Sequence, residues 1–87
     1  MNFNWDLILT EFSENLINIR KTKNMSQEMV AGLDLSVRNY QKIEKGETFP
    51  SFKSIVIISN NLNVHPGKLF DLPSLKSLNN SQKKAKT

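Results

Sequence analysis

The stretch SQEMVAGLDLSVRNYQKIEKG, residues 26–46, decides how this chain folds. Wound at 100° per residue, its second half separates into two sides. Tyr40 and Ile43 define one direction. Arg38, Gln41, Lys42 and Lys45 fall opposite, at the i, i+3, i+4, i+7 spacing of one helical stripe. Ser36 is placed to cap this helix and Gly46 to end it. The stripe holds no acidic residue, because Glu44 points back toward the apolar side. Surface helices usually interleave both signs of charge. This one reads instead as a face made for a negative partner.

The first half of the stretch predicts another helix, within residues 25–34. Ser26 is its N-cap, Glu28 lies favourably in its first turn, and Met29, Val30 and Leu33 form its apolar side. Asp34 tolerates a tight turn. With only Asp34 and Leu35 before the cap Ser36, the second helix must cross the first steeply, which is the helix-turn-helix arrangement. If its apolar side is pinned on a bundle, the cationic stripe protrudes. A helix about 10–12 Å across fits the major groove of B-form DNA.

Outward from this unit the pattern stays helical. Over 5–23, Trp5, Ile8, Leu9, Phe12, Leu16 and Ile19 lie within about 60° of one direction, and Asn24 is a left-handed stop. Ser51 caps a helix over 52–61 with Phe52, Ile55, Val56, Ile58 and Leu62 on one face. His65 followed by Pro66 reads as a cap and a first helical position, opening a short turn over 66–71 with Leu69 and Phe70. No strand pattern and no repeat appears. The expectation is an all-α fold of five short helices. Residues 1–11 are an extension, helical and continuous with the first helix; 12–72 form the domain; 73–87 are a flexible polar and basic tail.

Composition narrows the function classes. The chain has 87 residues, one small domain near the lower size for folding alone, so dimerisation would help it. It has no cysteine, hence no disulfide framework or zinc site, which fits a reducing cytoplasm. MNFNWDLILT lacks a basic lead-in and carries Asp6, a poor signal peptide, and the longest apolar run, IVII at 55–58, is far too short to span a bilayer. The net charge is +4, but Lys76, Lys83, Lys84 and Lys86 lie in the tail, so the position of the remaining charge matters more than its sum. His65 is the single histidine, no cluster stands at metal-ligand or triad spacing, and Gly32, Gly46 and Gly67 are too scattered to cradle a phosphate. Neither an enzyme nor a bound metal or cofactor is indicated.

The segments LINIRKTKNMSQ (16–27), SVRNYQKIEKGE (36–47) and PSFKSIVIISNNLNVHPGKLF (50–70) occur in an order and spacing that resembles the lambda repressor and Cro family of helix-turn-helix proteins. The resemblance runs from Phe12 to Phe70 and implies a five-helix fold binding operator DNA as a two-fold dimer. It places Val37, Arg38 and Lys42 at base edges with Gln41 alongside, and Gln27, Ser36, Asn39 and Lys45 at the phosphate backbone. It further implies a structural ion pair between Arg20 and Glu44, and a packing role for Tyr40. The sequence departs from the family pattern once: QEMVAGLDLS has one residue fewer between its glutamine and serine, so the second helix starts differently or its turn is tighter.

Ile17, about 140° from Phe12, and Ile57, nearly opposite the buried stripe of its helix, are apolar residues out of place for a monomer. With Phe3 and Leu7 they are candidates for a dimer seam. The expected function is therefore a sequence-specific transcriptional regulator, of repressor or controller type, binding duplex DNA as a homodimer at an inverted repeat. The alternative is an antitoxin that binds a toxin protein through the apolar N-terminal segment or the basic tail. Glu28 is a candidate contact for RNA polymerase, though the helix dipole also accounts for it.

Overall fold

The computed structural model describes residues 3–78. Four α-helices, α1 (Trp5–Thr22), α2 (Gln27–Ala31), α3 (Val37–Glu44) and α4 (Phe52–Leu62), precede a 3-10 helix (Pro66–Phe70). Each starts on a side chain that accepts one of the helix's orphan amides: Asn4 for α1, Ser26 for α2, Ser36 for α3, Ser51 for α4 and His65 Nδ1 for the 3-10 helix. Asn24, Asn63 and Gly46 end elements with positive φ. No strand occurs among the described residues.

The helices close on one core. α1 packs on α3 and the 3-10 helix, α2 lies against α3 and α4, and α4 reaches the 3-10 helix. Phe12, Leu16, Val30, Tyr40, Ile58, Leu62 and Leu69 are fully buried between them. Phe49, from the loop after α3, sets its ring edge-on to Phe12 with centroids 4.8 Å apart.

Several expected core residues face solvent. α2 stops at Ala31, because Gly32 takes φ 63° and ψ −150°, a conformation open essentially to glycine alone. A Cβ there would lie 2.8 Å from Asn61 Nδ2, which donates to the carbonyl of Val30. The short spacing from Gln27 to Ser36 thus goes with an α2 that ends at Ala31. Beyond Gly32 the chain leaves the helical path, so Leu33 is fully exposed and Leu35 packs against the core instead. Met29 is exposed as well. On α4 the buried stripe is Ile55, Ile58, Ser59 and Leu62. Phe52 and Val56 sit ~70° and ~110° from its centre and are exposed. Trp5, although on the apolar side of α1, is 68% exposed, since the helix starts beyond the edge of the bundle.

The ordered fold also continues past position 72. Residues 73–78 are helical. Glu11 on α1 accepts from the backbone amide and the hydroxyl of Ser74, at 3.1 and 2.9 Å, supplying the acceptor that a helix start needs. Leu72 is buried and Leu75 packs against the core. The remainder of the expected tail, 79–87, lies outside the described residues.

Candidate nucleic-acid interface

α3 is held by one side and open on the other. Tyr40, Ile43 and Glu44 are buried, while Arg38, Asn39, Lys42 and Lys45 are exposed and Val37 and Gln41 half-buried. Among the described residues, none of Arg38, Lys42 and Lys45 takes part in a salt bridge. The stripe is thus a row of cations with no carboxylate answering it. Ser36 accepts from the Asn39 amide, 3.0 Å away, which fixes the start of α3 and leaves its O–H free to donate outward.

The grip on α3 centres on Glu44, whose side chain is 5% exposed. Arg20 Nε donates to Oε2 at 2.6 Å and its terminal nitrogen to Oε1 at 3.0 Å, a two-pronged guanidinium–carboxylate pair joining α1 to α3. Tyr40 donates its hydroxyl to Oε2, and Gln27 donates Nε2 to Oε1 at 2.9 Å. Burial pushes the Glu44 carboxyl up, but the hydrogen bonds from Arg20, Tyr40 and Gln27, with the charge of Arg20, outweigh it and hold the pKa below its usual value. Burial, then the bond to Glu44, raises the Tyr40 phenol. Arg20 also donates to the carbonyl of Met25, tying down the α1–α2 turn.

Gln27, which the resemblance places at the DNA backbone, also joins this network: one N–H of its Nε2 is donated to Glu44, and its Oε1 accepts from Gln41 Nε2 at 3.1 Å. The physical reason is the unfilled acceptor site on a buried carboxylate, which draws the amide inward. Two contributions escaped the sequence reading. The Tyr40 hydroxyl had a signal, since Tyr40 and Glu44 are four apart on one helix face. The Gln27 link had none, because it joins two helices through side-chain conformations. Beside Lys42 and Asn39, a recess of 340 Å³ is lined by Thr48, Ser51 and Ser54 at the start of α4. Of the candidate seam residues, Phe3 and Leu7 are exposed, and Ile17 and Ile57 half-buried. Leu7 and Ile17 lie on α1, Phe3 just before it and Ile57 on α4, and the two helices pack chiefly on other elements.

The family model described as HTH_3, helix-turn-helix, matches residues 16–69, which takes in the end of α1, both helices of the motif, α4 and most of the 3-10 helix. The chain belongs to the HTH_3 family. It is a DNA-binding transcriptional regulator. Among solved structures, it is similar to the restriction-modification controller protein C.AhdI from Aeromonas hydrophila, with 30% identity and a TM-score of 0.68 over 71% of this chain and 96% of that one. No curated protein matches it significantly. In a helix-turn-helix protein the second helix of the motif lies in the major groove while the first crosses the backbone; α3 holds the place of that second helix and α2 that of the first. The first three turns of α1, with Trp5, precede the residues matched by the family model.

Proposed function

We propose that this protein represses or otherwise controls transcription by binding an inverted repeat in duplex DNA as a homodimer. The observation that supports it is the unanswered cationic stripe on a helix whose opposite side is locked by Tyr40, Ile43 and Glu44. Val37, Arg38, Gln41 and Lys42 face the bases, with Ser36, Asn39 and Lys45 toward the backbone. Thr48, which lines the recess beside Lys42, offers a hydroxyl to a phosphate. The likeness to a controller protein favours a controller role. Such a role is cytoplasmic and has no catalytic step. No helix among the described residues is long and apolar enough to cross a membrane, and no metal-holding cluster occurs among them.

The dimer must set two α3 helices on one face of the duplex, so its seam belongs beside the end of α3. Phe52, 80% exposed at the start of α4, meets that requirement, with Val56 one turn on. Selection of sites from random duplex DNA, followed by sedimentation of the complex, tests the reading. The expected result is two chains on half-sites about 34 Å apart, or a multiple of it, with affinity falling steeply as salt rises. Tight binding to single-stranded RNA with none to duplex DNA overturns it.

A second reading, in which the regulator also binds a partner protein such as a toxin, is favoured by one feature. Trp5, Ile8, Leu9 and Phe49 line an apolar groove of 310 Å³, on a part of α1 that precedes the residues matched by the family model.

A further inference from the structure

The polar chain that leaves Glu44 has a direction. Its carboxylate receives two bonds from Arg20, one from Tyr40 and one from Gln27, which fills the roughly four acceptor sites a carboxylate has. An ionised carboxylate can only accept, so Gln27 must turn Nε2 toward it and Oε1 away. That oxygen in turn accepts from Gln41 Nε2. Gln41, on the reading helix, is thereby held with its nitrogen inward. Reversing either amide would set oxygen against oxygen at 2.9 or 3.1 Å. The Oε1 of Gln41 has no hydrogen bond within the described residues, and no buried side-chain oxygen or nitrogen among them lacks a partner. It therefore opens to solvent, on the helix that also carries Arg38, Lys42 and Lys45.

We infer that this relay makes Gln41 present an oxygen to the major groove, selecting a base that offers an exocyclic amino group, adenine N6 or cytosine N4, over guanine or thymine. The inference rests on the DNA-binding reading above. Each base pair carries one amino and one keto group in the major groove, so Gln41 reads which strand bears the amino base and tolerates A and C alike. Gln27 is a positioning residue: it touches no base and acts by fixing the polarity of Gln41. A freely rotating glutamine could offer either end and would discriminate poorly.

Two measurements test this. Exchange of side-chain amide protons, followed by NMR in the wild type without DNA, should show the Nε2 protons of Gln27 and Gln41 slowed relative to those of a free glutamine side chain. Binding to a site and all its single-base variants then compares the wild type with Gln41→Ala, Gln41→Lys and Gln27→Met. Gln41→Ala locates the base pair involved. There the wild type should favour A or C over G or T on one strand by about 5- to 10-fold. Gln27→Met should cut that preference to about twofold while leaving the preference set by Arg38. Gln41→Lys, which can only donate, should reverse it toward G or T. This substitution on α3 leaves Gln27 itself in place, so it does not depend on how the junction tolerates change at Gln27. The inference is overturned by a keto preference in the wild type, by an undiminished amino preference in a folded Gln27→Met, or by amide protons exchanging freely. If the amide protons are slowed yet no duplex is bound specifically, the DNA reading itself fails and the base assignment falls with it.

Discussion

At the junction of α1, α2 and α3, one carboxylate collects donors from three helices, and no buried side-chain oxygen or nitrogen among the described residues is left without a partner. At the outer start of α1, Phe3 stacks obliquely on Trp5 with 5.3 Å between ring centroids, and Trp5, Ile8, Leu9 and Phe49 line an apolar groove. The first region is polar and closed; the second is apolar and open. The contrast inverts the usual association of polarity with surface. Removing one member of the junction strands a buried charge or donor, whereas removing a side chain from the rim leaves no cavity and strands nothing. The junction therefore governs the fold, and the rim governs what the fold meets.

The largest expected effect tests the closed side. Glu44→Ala leaves the Arg20 guanidinium, 14% exposed, with its counter-charge gone, and should cost roughly 3–5 kcal/mol in chemical denaturation. A loss under about 1 kcal/mol would put the pair in the class of surface salt bridges and dissolve the contrast. The pH dependence has a definite sign. The folded pKa of Glu44 lies below its unfolded value, near 4.3. Its contribution is complete above that value and is lost as pH falls through the lower folded one. The denaturation midpoint of the wild type should drop on acidification below about pH 4.3. Glu44→Gln, less stable at neutral pH, should show a shallower drop. Asp71, lowered by Lys76, acts in the same direction but is exposed and secondary. Equal acid slopes in the two proteins would remove Glu44 from its central place.

The same contrast explains what could be read from the residues alone. The helices, their serine caps and the outward stripe of α3 follow from periodicity and capping chemistry, which are local. So does the placement of Arg20 and Glu44 beside the apolar faces of their helices. Trp5, Phe52 and Leu33 misled for a shared reason: periodicity shows which side of a helix is apolar, not whether another element reaches far enough to cover it. Leu33 was further displaced by Gly32, whose φ and ψ end α2 early. The inward turn of Gln27 had no local signal, because it answers a carboxylate 17 residues away across a helix junction.

If the junction holds α3 in one orientation, the residues along its stripe must act differently. Arg38, in the first turn of α3, can donate two parallel bonds to guanine O6 and N7. Arg38→Ala should cost about 1–3 kcal/mol on the preferred operator and relax one base pair per half-site. Lys45, at the C-terminal end of α3, lies where the groove curves away. Lys45→Ala should weaken all duplexes by a similar factor and lower the salt slope by about one unit. Titrations at several salt concentrations against the operator, its variants and unrelated DNA distinguish the two. Exchanged behaviour would mean that the helix enters the groove in the other orientation.

The smallest expected effect on folding belongs to the exposed apolar residues, and it sharpens the contrast most. Phe52 and Trp5 are 80% and 68% exposed, so replacing either by serine should move monomer stability by no more than about 0.5 kcal/mol. Their consequences for assembly should nevertheless diverge. Phe52 starts α4 directly after the loop that leaves α3, so covering it with a second copy sets two reading helices side by side. Trp5 sits on the early turns of α1, where a partner could bind without altering the spacing of the helices. Phe52→Ser should therefore weaken the dimer about tenfold or more, equivalent to about 1.4 kcal/mol. It should also convert cooperative binding of the two half-sites into independent binding. Trp5→Ser should leave both unchanged. Sedimentation of each variant, with and without a duplex carrying one or two half-sites, reads both quantities. Should Trp5→Ser produce monomers while Phe52→Ser stays dimeric, the apolar rim of α1 is the seam. The protein partner proposed for its groove would then have to compete with the second copy of the chain.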